Sequence, residues 1–499
     1  MVPLCEVLSG YKGCRESFQG LDPRAYQQNK NSDCEDISMF PVSCRRALLC
    51  VLGAAVVSLA LSRNVSASSV VVTPPSVAAC KALPSYNTIS VAVSSVPAGS
   101  IIYVCPGTYA EQVVITKKLT LEGVAGNGGT GATASGSNNP VIVSPAGGVL
   151  VNSSDLANGQ ATAAQIFVQT PSADLATPIV VSIGNITVDG SNNGLNSCAT
   201  DLVGIYYQNA SGTVTHVTTR YQELPPADFG CQDGLAIYAQ SGYSTGGTSA
   251  VTIENSSVHD YDKNGITADG SGTVAMITGN YIVGIGATPL IGQNGIQMSF
   301  GASGKITSNT VTDDVYVNAQ DCVSSNSCYS ATGILLYDSG GTSGSHVTIS
   351  GNTVSNTQGA IVTYTDGTEP ADYNDVTSNK VTTNAAIVVT GATYLLDGID
   401  LCSDYNTASM NTVFNSSGAG VHLDSECMDT NSLPTGANSS ATHNTVNEAC
   451  AGVLLGNTGT ASENVTYNVV ETTAMNDTCP TGNGGSSAKV AKIKTQPKR

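Results

Sequence analysis

A short phrase recurs nine times between residues 204 and 455, and it consists of a glycine followed by an apolar, a variable and a second apolar residue. Apolar residues in strict alternation predict a β-strand with one buried face. Recurrence at roughly 22–39 residues is typical of a solenoid, in which each repeat adds one coil. The nine phrases begin at Gly204, Gly234, Gly265, Gly295, Gly333, Gly359, Gly398, Gly420 and Gly452.

A second series of residues lies between the glycine phrases, and each member is an asparagine at the end of an apolar run. Asparagine tolerates the left-handed backbone conformation and forms local hydrogen bonds, so it suits a tight corner between two strands. Stacked once per coil, these side chains form an internal amide ladder. The predicted ladder comprises Asn255, Asn280, Asn309, Asn352, Asn379, Asn411, Asn444 and Asn468.

The opening coil carries a more specific pattern. Residues 101–111 read Ile-Ile-Tyr-Val-Cys-Pro-Gly-Thr-Tyr-Ala-Glu, and Val113-Val114-Ile115 follow. This run resembles the first turns of right-handed parallel β-helix proteins of the pectin-lyase-like superfamily, pectin methylesterases among them. The resemblance implies an all-β, single-stranded right-handed parallel β-helix with an N-terminal cap, in which a short helix around Ala92 covers the first coil. It also implies a carbohydrate ligand.

The catalytic signatures of three families with this fold are missing. Of the pectin methylesterase motifs only Gln232-Asp233 remains, and the chain has no Trp. Asp313-Asp314 resembles one polygalacturonase element, but neither Gly-His-Gly nor Arg-Ile-Lys follows. Pectate lyases need a basic proton acceptor, and Arg220 is the only arginine between residue 67 and Arg499. No activity from these families is therefore expected.

Charge and targeting patterns indicate export. The formal net charge of -18 disfavours nucleic acid as a partner. Arg45-Arg46, an apolar run and Val65-Ser66-Ala67 predict a secretory signal over residues 39–67 that would contact the membrane only during export. Met39 is the expected initiator, so residues 1–38 are either a mispredicted extension or a disordered leader. The β-helix is expected over residues 68–478 and a flexible basic tail over residues 479–499.

Cysteine usage agrees with a secreted or cell-envelope location. Ten cysteines follow the predicted cleavage site, and this even number is typical of disulfides in an oxidising compartment. No pair has the spacing of a zinc site. Pairing of sequence neighbours predicts the bridges 80–105, 198–231, 322–328, 402–427 and 450–479.

The outward positions of the glycine strand are expected to form the floor of a groove, because long loops occur before and after that strand. Asp400 should lie beside His422 of the next coil, with Asp424 diagonal to Asp400. A spacing of roughly 8 Å would suit the carboxylates of an inverting glycosidase, with His422 as their partner. Ca²⁺ held by carboxylates and a solvated acidic patch are the competing interpretations. The predicted substrate-binding residues are Tyr238, Asp269, Gln297 and Tyr337.

Two functions remain open from the sequence. The first is a carbohydrate-active enzyme, a glycoside hydrolase before a lyase or an esterase, with Asp400, His422 and Asp424 as catalytic residues. The second is a non-catalytic surface or adhesion protein that binds polysaccharide. Either would be a monomer with polysaccharide as its partner, and no cofactor is expected unless the carboxylates hold Ca²⁺.

Overall fold

The computed structural model describes residues 66–75, 77–124, 139–317, 327–341, 346–367, 370–383, 387–389, 392–394, 396–429, 431–476, 478–479, 488–489 and 492–494. Most of the expected leader and signal sequence, together with Cys322, therefore lies outside the described residues. In the described part, each coil contributes one strand to each of three faces, and strands of successive coils pair in parallel. The predicted parallel β-helix is confirmed.

The first face is one sheet of fourteen short strands. Each of its strands from the fifth onward is followed by a corner and then by a strand of the second face. Its strands are Ser69–Val72, Ser85–Tyr86, Ser100–Val104, Leu119–Gly123, Val180–Gly184, Ser211–Thr215, Ser249–Glu254, Thr273–Thr278, Ser303–Thr307, Val347–Ser350, Asp375–Thr377, Thr407–Ser409, Ser440–Thr442 and Thr460–Ser462.

The second and third faces meet along one edge, where strands run on from one face to the other. The second face comprises Thr108–Ala110, Val141–Val143, Thr187–Asp189, Thr218–Arg220, Ser257–His259, Tyr281–Thr288, Thr310–Tyr316, Thr353–Thr357, Lys380–Thr383 and Thr412–Phe414. The third face carries the glycine phrases. It comprises Val113–Ile115, Ser153–Ser154, Ala161–Gln169, Thr200–Gln208, Leu235–Gln240, Asn264–Asp269, Asn294–Ser299, Thr332–Tyr337, Gly359–Tyr364, Ile399–Cys402 and Ala419–Leu423, and Thr445–Leu455 and Val465–Met475 span both faces.

Inward side chains stack in columns because the coils pair in register. Ile237, Ile266 and Ile296 occupy equivalent positions in successive coils, and each is fully buried. Residues of all three faces contribute to one continuous apolar core from Val70 to Leu455. Burial of this column drives folding, since each coil can cover its apolar face only by stacking on its neighbours.

The recurring glycine is required by close packing at the edge between the second and third faces. A Cβ atom at Gly295, Gly333, Gly398 or Gly420 would fall within 3.0 Å of a valine methyl group from the second face. Those methyl groups belong to Val311, Val354, Val413 and Val446, which are core residues. The glycine therefore makes room for an inward side chain of the neighbouring strand.

The asparagine ladder exists, with two corrections. Each Nδ2 donates to the Oδ1 of the next asparagine at 3.0 Å. The left-handed residue is the one before the asparagine, for example Ser308 or Met410. Asn255 is such a left-handed residue, and Asn468 is exposed at another corner, so neither belongs to the ladder. The ladder comprises Asn280, Asn309, Asn352, Asn379, Asn411, Asn444 and Asn464.

The predicted N-terminal cap is a helix over Ile89–Ser95 whose apolar side covers the first coil. Thr88 caps its first turn, and the Glu111 carboxylate accepts hydrogen bonds from the backbone of Ile89 and Ser90, each at 2.8 Å. The Tyr109 hydroxyl donates to the Cys105 carbonyl at 2.8 Å. The opening motif thus ties the cap to the first coil. Two 3-10 helices, Ser172–Asp174 and Tyr243–Thr245, lie in loops.

Four of the predicted disulfides are present: 80–105, 198–231, 402–427 and 450–479. Outside the three faces, Ile387–Val389 pairs with Ala392–Tyr394, and Ser327–Tyr329 pairs with Lys492–Lys494 of the tail. A further pair in the tail joins Thr478–Cys479 and Ala488–Lys489. Among the described residues, no helix has the length and apolar character needed to cross a bilayer.

Candidate functional site

The strand register of the third face determines which outward side chains are neighbours. Ile205, Ile237 and Ile361 occupy equivalent positions, so the residues equivalent to Gly204 are Ala236 and Ala360 rather than Gly234 and Gly359. The strand register predicted from the glycine phrases was therefore wrong in the coils of Gly234 and Gly359. One outward column contains Tyr206, Tyr238, Thr267, Gln297, Leu335, Val362, Asp400, His422 and Leu454.

Asp400, His422 and Asp424 come together at the C-terminal end of this column. Asp400 pairs in register with His422, as predicted. Each of the three side chains offers one oxygen or nitrogen atom, and these atoms all lie within 4.8 Å of one another. The residues are only 2–4% exposed. The cluster is thus an assembled acid–histidine site beneath the surface, and not an open groove floor.

Asp397 is a fourth member that sequence reasoning did not assign. Its Oδ2 lies 2.8 Å from His422 Nδ1, and its Oδ1 accepts a hydrogen bond from the Ala419 backbone. Since a carboxylate can only accept, the proton of the neutral imidazole sits on Nδ1. The lone pair of Nε2 then remains on the side of Asp424, whose Oδ1 is 4.0 Å away.

The segment after Asp424 is fixed over the cluster. Cys427 is bonded to Cys402, and the Cys402 sulfur lies 3.1 Å from Asp424 Oδ2. The backbone N–H of Glu426 donates to Asp424 Oδ1 at 2.7 Å, and the Thr435 hydroxyl donates to the Asp424 carbonyl at 2.8 Å. The disulfide therefore joins the two coils that supply the acidic residues.

The side-chain oxygens of the two acidic groups lie close together. An inverting glycosidase separates its carboxyl groups by roughly 6.5–9.5 Å, and a retaining glycosidase by about 5–5.5 Å. The nearest oxygens of Asp400 and Asp424 lie within 4.8 Å of each other. A nearest-oxygen distance below this value is compatible with the carboxyl separation of a retaining glycosidase.

The same three residues have a donor set that fits a metal ion. An aspartate that accepts from Nδ1 of a histidine is the usual outer-shell partner of a histidine ligand, and Asp397 stands in that position. A nitrogen ligand beside two carboxylates suits Zn²⁺ or a similar transition metal. Ca²⁺ prefers oxygen ligands alone, so the imidazole makes Ca²⁺ the poorer match.

An aromatic row leads along the third face toward the cluster. The rings of Phe300 and Tyr337 are 5.5 Å apart, and those of Tyr337 and Tyr364 are 5.3 Å apart and nearly parallel. Tyr364 pairs in register with Cys402 and is half-buried. Burial raises the pKa of Tyr364, and the Asp366, Asp338, Asp424 and Asp400 carboxylates raise it further. Tyr364 was not among the predicted site residues, because counting from Gly359 places it one position away from its true partner in register, Tyr337.

Tyr238, Asp269 and Gln297 lie elsewhere on the third face. Tyr238 stacks on Tyr206 at 4.9 Å and donates to Asp155 at 2.8 Å. The four coil steps between Asp269 and Asp400 amount to roughly 19 Å at about 4.8 Å per coil. Tyr238, Asp269 and Gln297 all belong to paired parallel strands of that face, and their side chains are at most 1% exposed. These residues therefore do not form the exposed groove floor that was expected.

Asp269 is the centre of this buried network. It accepts hydrogen bonds from the hydroxyl of Tyr243 at 2.8 Å, the amide of Gln240 at 2.9 Å and the hydroxyl of Ser299 at 2.8 Å. Burial raises the pKa of Asp269 to about 6, against the effect of these donors. The fourth predicted residue, Tyr337, is 7% exposed and belongs to the aromatic row.

The comparison with family models agrees with the fold. A family model described as "Right handed beta helix region" matches residues 203–397. No curated protein sequence matches the chain. The chain is similar to the A-module of the mannuronan C-5 epimerase AlgE4 of Azotobacter vinelandii, with a TM-score of 0.44, 10% identity, and coverage of 77% of this chain and 90% of that one.

Two further solved structures are similar at the same level. For DFA-IIIase from Arthrobacter chlorophenolicus A6, the TM-score is 0.42 with 16% identity, covering 74% of this chain and 83% of that one. For the Agl-KA catalytic domain, the TM-score is 0.41 with 13% identity, covering 77% of this chain and 63% of that one. The family match covers residues 203–397, and the described residues fold as a right-handed parallel β-helix.

Proposed function

We propose that this protein is a secreted, carbohydrate-active enzyme that hydrolyses glycosidic bonds at the cluster of Asp400, His422 and Asp424. The observation that carries the proposal is the contact between two acidic side chains and an imidazole whose orientation Asp397 fixes. Oxygen atoms of the two carboxyl groups lie within 4.8 Å of each other, which is compatible with a retaining glycosidase, whose carboxyl groups are about 5–5.5 Å apart. The aromatic row ending at Tyr364 supplies flat apolar surfaces on which sugar rings stack.

The two carboxyl groups have different surroundings, and these suggest different roles. Asp424 accepts a hydrogen bond from the Glu426 N–H at 2.7 Å, and a hydrogen bond of this kind favours the charged carboxylate. Asp424 is therefore the proposed nucleophile. Asp400, in register with His422, is the proposed acid that protonates the leaving-group oxygen.

The proposed reaction proceeds in two steps. Asp424 forms a bond to the anomeric carbon while the glycosidic C–O bond breaks, and the Asp400 proton passes to the leaving oxygen. Water then attacks the same carbon, its proton returns to Asp400, and the bond to Asp424 breaks. His422, positioned by Asp397, lies beside both carboxyl groups and can take up or release a proton at Nε2 as Asp400 gives up and regains its own.

The test is turnover of a panel of neutral and acidic polysaccharides by the wild-type protein and by the Asp400→Asn and Asp424→Asn variants. New reducing ends and the absorbance of unsaturated products are measured, and ¹H NMR identifies the anomer released first. Asp262→Asn is a matched control because Asp262 is also a buried aspartate but lies in a different coil. Reducing ends of retained configuration from wild type and control, with neither cluster variant active, are the expected result.

Two other outcomes have defined meanings. Activity that EDTA abolishes and Zn²⁺ restores would assign the cluster to a metal ion and remove the two-carboxylate mechanism. Binding without turnover in all four proteins would favour the second function, a non-catalytic polysaccharide-binding protein. The low exposure of Asp400, His422 and Asp424 favours that alternative, because a substrate must reach the cluster to react.

A further inference from the structure

A separate cavity of about 310 Å³ opens at the edge between the second and third faces. Its walls come from two successive coils, just after the strands Thr187–Asp189 and Thr218–Arg220. This volume is near the lower limit of ligand pockets, roughly 300 Å³, and suits one or two sugar rings. The side chains that matter most in the wall are Asn192, Leu195, Tyr221, Glu223 and Leu224.

Asn193 holds the two walls in place. Its Nδ2 donates to the carbonyls of Gly190 at 3.0 Å and Glu223 at 2.8 Å, and its Oδ1 accepts the Leu195 N–H at 2.9 Å. The Asn193 side chain is thus engaged with both walls of the cavity. A cavity whose frame is hydrogen-bonded in this way is preformed, so a ligand would lose little free energy to loop ordering.

Tyr221 presents an aromatic ring at the rim of the cavity. It is 42% exposed, and its φ of 58° is a left-handed conformation that a bulky residue adopts at an energetic cost. The Arg220 guanidinium lies 5.7 Å from the ring centroid and is held by Asp189 at 2.7 Å. Arg220 therefore packs near the Tyr221 ring, and the exposed part of the ring is available for stacking.

Glu223 provides the acidic group of the cavity wall. It is half-buried, and burial, followed by the Asp260 charge, raises the pKa of its carboxyl. No lysine or arginine is among the residues that line this cavity in the described part of the chain. An aromatic ring beside an acceptor, with Arg220 outside the lining and paired with Asp189, fits a ligand rich in hydroxyl groups and without negative charge.

We propose that this cavity is a binding site for one or two rings of a neutral saccharide, with Tyr221 stacking on a ring and Glu223 accepting its hydroxyl groups. The coil of Tyr221 lies five coil steps from that of Asp400, roughly 24 Å along the axis at about 4.8 Å per coil. The site is therefore distinct from the acid–histidine cluster. Its use in holding a polysaccharide for cleavage rests on the proposed function, whereas saccharide binding itself does not.

The experiment measures binding of neutral disaccharides, cellobiose, maltose and xylobiose, by saturation-transfer NMR and titration, at up to about 10 mM. The mature chain carrying Asp400→Asn is used so that hydrolysis cannot consume the ligand. Tyr221→Asn is added because asparagine favours the left-handed conformation, so the fold should be kept or stabilised. Tyr405→Asn is the matched control: Tyr405 is 44% exposed with a φ of 55° and does not line this cavity.

At least one disaccharide is expected to bind, with a tenfold or greater loss of affinity, at about 1.4 kcal/mol per tenfold step, in Tyr221→Asn and in Glu223→Ala but not in Tyr405→Asn. Affinity that is unchanged in Tyr221→Asn, an equal loss in Tyr405→Asn, or no binding of any disaccharide would overturn the proposal. Because every variant lacks Asp400, none of these results depends on whether the acid–histidine cluster is catalytic.

Discussion

Asp397 contacts the imidazole of His422 and bears on its orientation. Asp397 contacts Nδ1 at 2.8 Å and fixes the tautomer that leaves the Nε2 lone pair toward Asp424. Asp397→Asn removes the acceptor and offers a donor to Nδ1, so the proton should move to Nε2. We expect kcat to fall about 100-fold with KM little changed.

Long-range ¹H–¹⁵N NMR of the His422 ring separates this positioning role from a structural one. The wild-type ring should carry its proton on Nδ1 and the variant ring on Nε2. An unchanged tautomer with reduced activity would mean that Asp397 acts through the backbone of Ala419, which it also contacts.

Burial of Asp262 predicts that the stability of the protein depends on pH. Burial raises the pKa of Asp262 to about 9, and the neighbouring Glu223 carboxylate adds to the effect. Between the ordinary pKa of about 4 and this value, the folded protein holds a proton that the unfolded chain releases, so stability falls as pH rises through this window. Asp262→Asn removes the titration and should stabilise the protein at pH 8 by more than about 1 kcal/mol.

Thermal unfolding of wild type and Asp262→Asn at several pH values between about 4 and 9 measures this effect. The difference in Tm between the two proteins should grow with pH and vanish near pH 4. A difference that is constant across the range would show that Asp262 does not titrate within it.

At the scale of single residues, the sequence predicted some contacts and not others. Asp400 and His422 both stand second after a glycine that the register confirms, so their contact followed from the repeat. Asp397 stands before Gly398, at the edge between the second and third faces, and it contacts His422 of the next coil. The alternation of residues along a strand does not predict a contact between positions that are out of register. Tyr364 was displaced by one position because Gly359 is not the equivalent of Gly333.

The asparagine ladder is the structural element whose contribution can be measured most directly. Asn352 accepts from both the backbone N–H and the side-chain amide of Asn309 and donates to the Ile306 carbonyl. Asn352→Ala leaves these buried groups without partners, each at a cost of about 1–3 kcal/mol. We expect a loss of at least about 3 kcal/mol in the free energy of unfolding.

Asn468→Ala is the control for this measurement. Asn468 resembles a ladder member in sequence but is exposed, and its one side-chain hydrogen bond is to Asn447. Its replacement should change stability by less than about 0.5 kcal/mol. Equal effects of the two substitutions in denaturant titrations would refute the ladder as the source of stability.

The glycine strand offers a second test at this scale. A Cβ at Gly333 would meet Val354 Cγ1, so Gly333→Ala should overpack the edge between two faces and destabilise the protein by about 1–3 kcal/mol. Val354→Ala alone leaves a cavity, but in the double variant the smaller side chain relieves the contact with Val354, while the Ala360 carbonyl oxygen remains 2.9 Å from the new methyl group. A double-mutant cycle should therefore give a favourable coupling energy, and simple additivity would contradict this explanation.

Strand type and fold class followed from the sequence because period-two alternation repeats in every coil. The strand register at Gly234 and Gly359 could not be predicted from the sequence. In both coils a glycine stands close to the correct position, so it fits the glycine phrase although an alanine is the true equivalent. Only the stacking of Ile205, Ile237 and Ile361 fixes which residue stands at the edge. The position of the left-handed residue before each asparagine depends in the same way on backbone geometry.

The two ends of the described solenoid differ in how far other structural elements cover the last coil. The first coil is covered by the helix Ile89–Ser95. Within the described β-helix, Val465–Met475 pairs in register only with Thr445–Leu455, and its side chains Val465, Tyr467, Val470 and Met475 are about half-exposed. Since each coil is stabilised by its neighbours, unfolding should begin at this C-terminal coil.

Amide hydrogen exchange followed by mass spectrometry tests this expectation. Peptides covering Val465–Met475 should exchange much faster than those covering Asn294–Ser299 in the central coils, whose strand pairs on both sides. Equal protection at both places would mean that the C-terminal coil is covered by another part of the protein.

The amide ladder also limits how such a chain can change length. Every rung offers the same donor to the following coil and the same acceptor to the preceding one. Duplication or loss of one complete coil would therefore leave the rungs on either side compatible, whereas an insertion of a few residues within a corner would break two of them. The ladder therefore favours changes in the length of the solenoid by whole coils, each adding or removing about 4.8 Å along its axis.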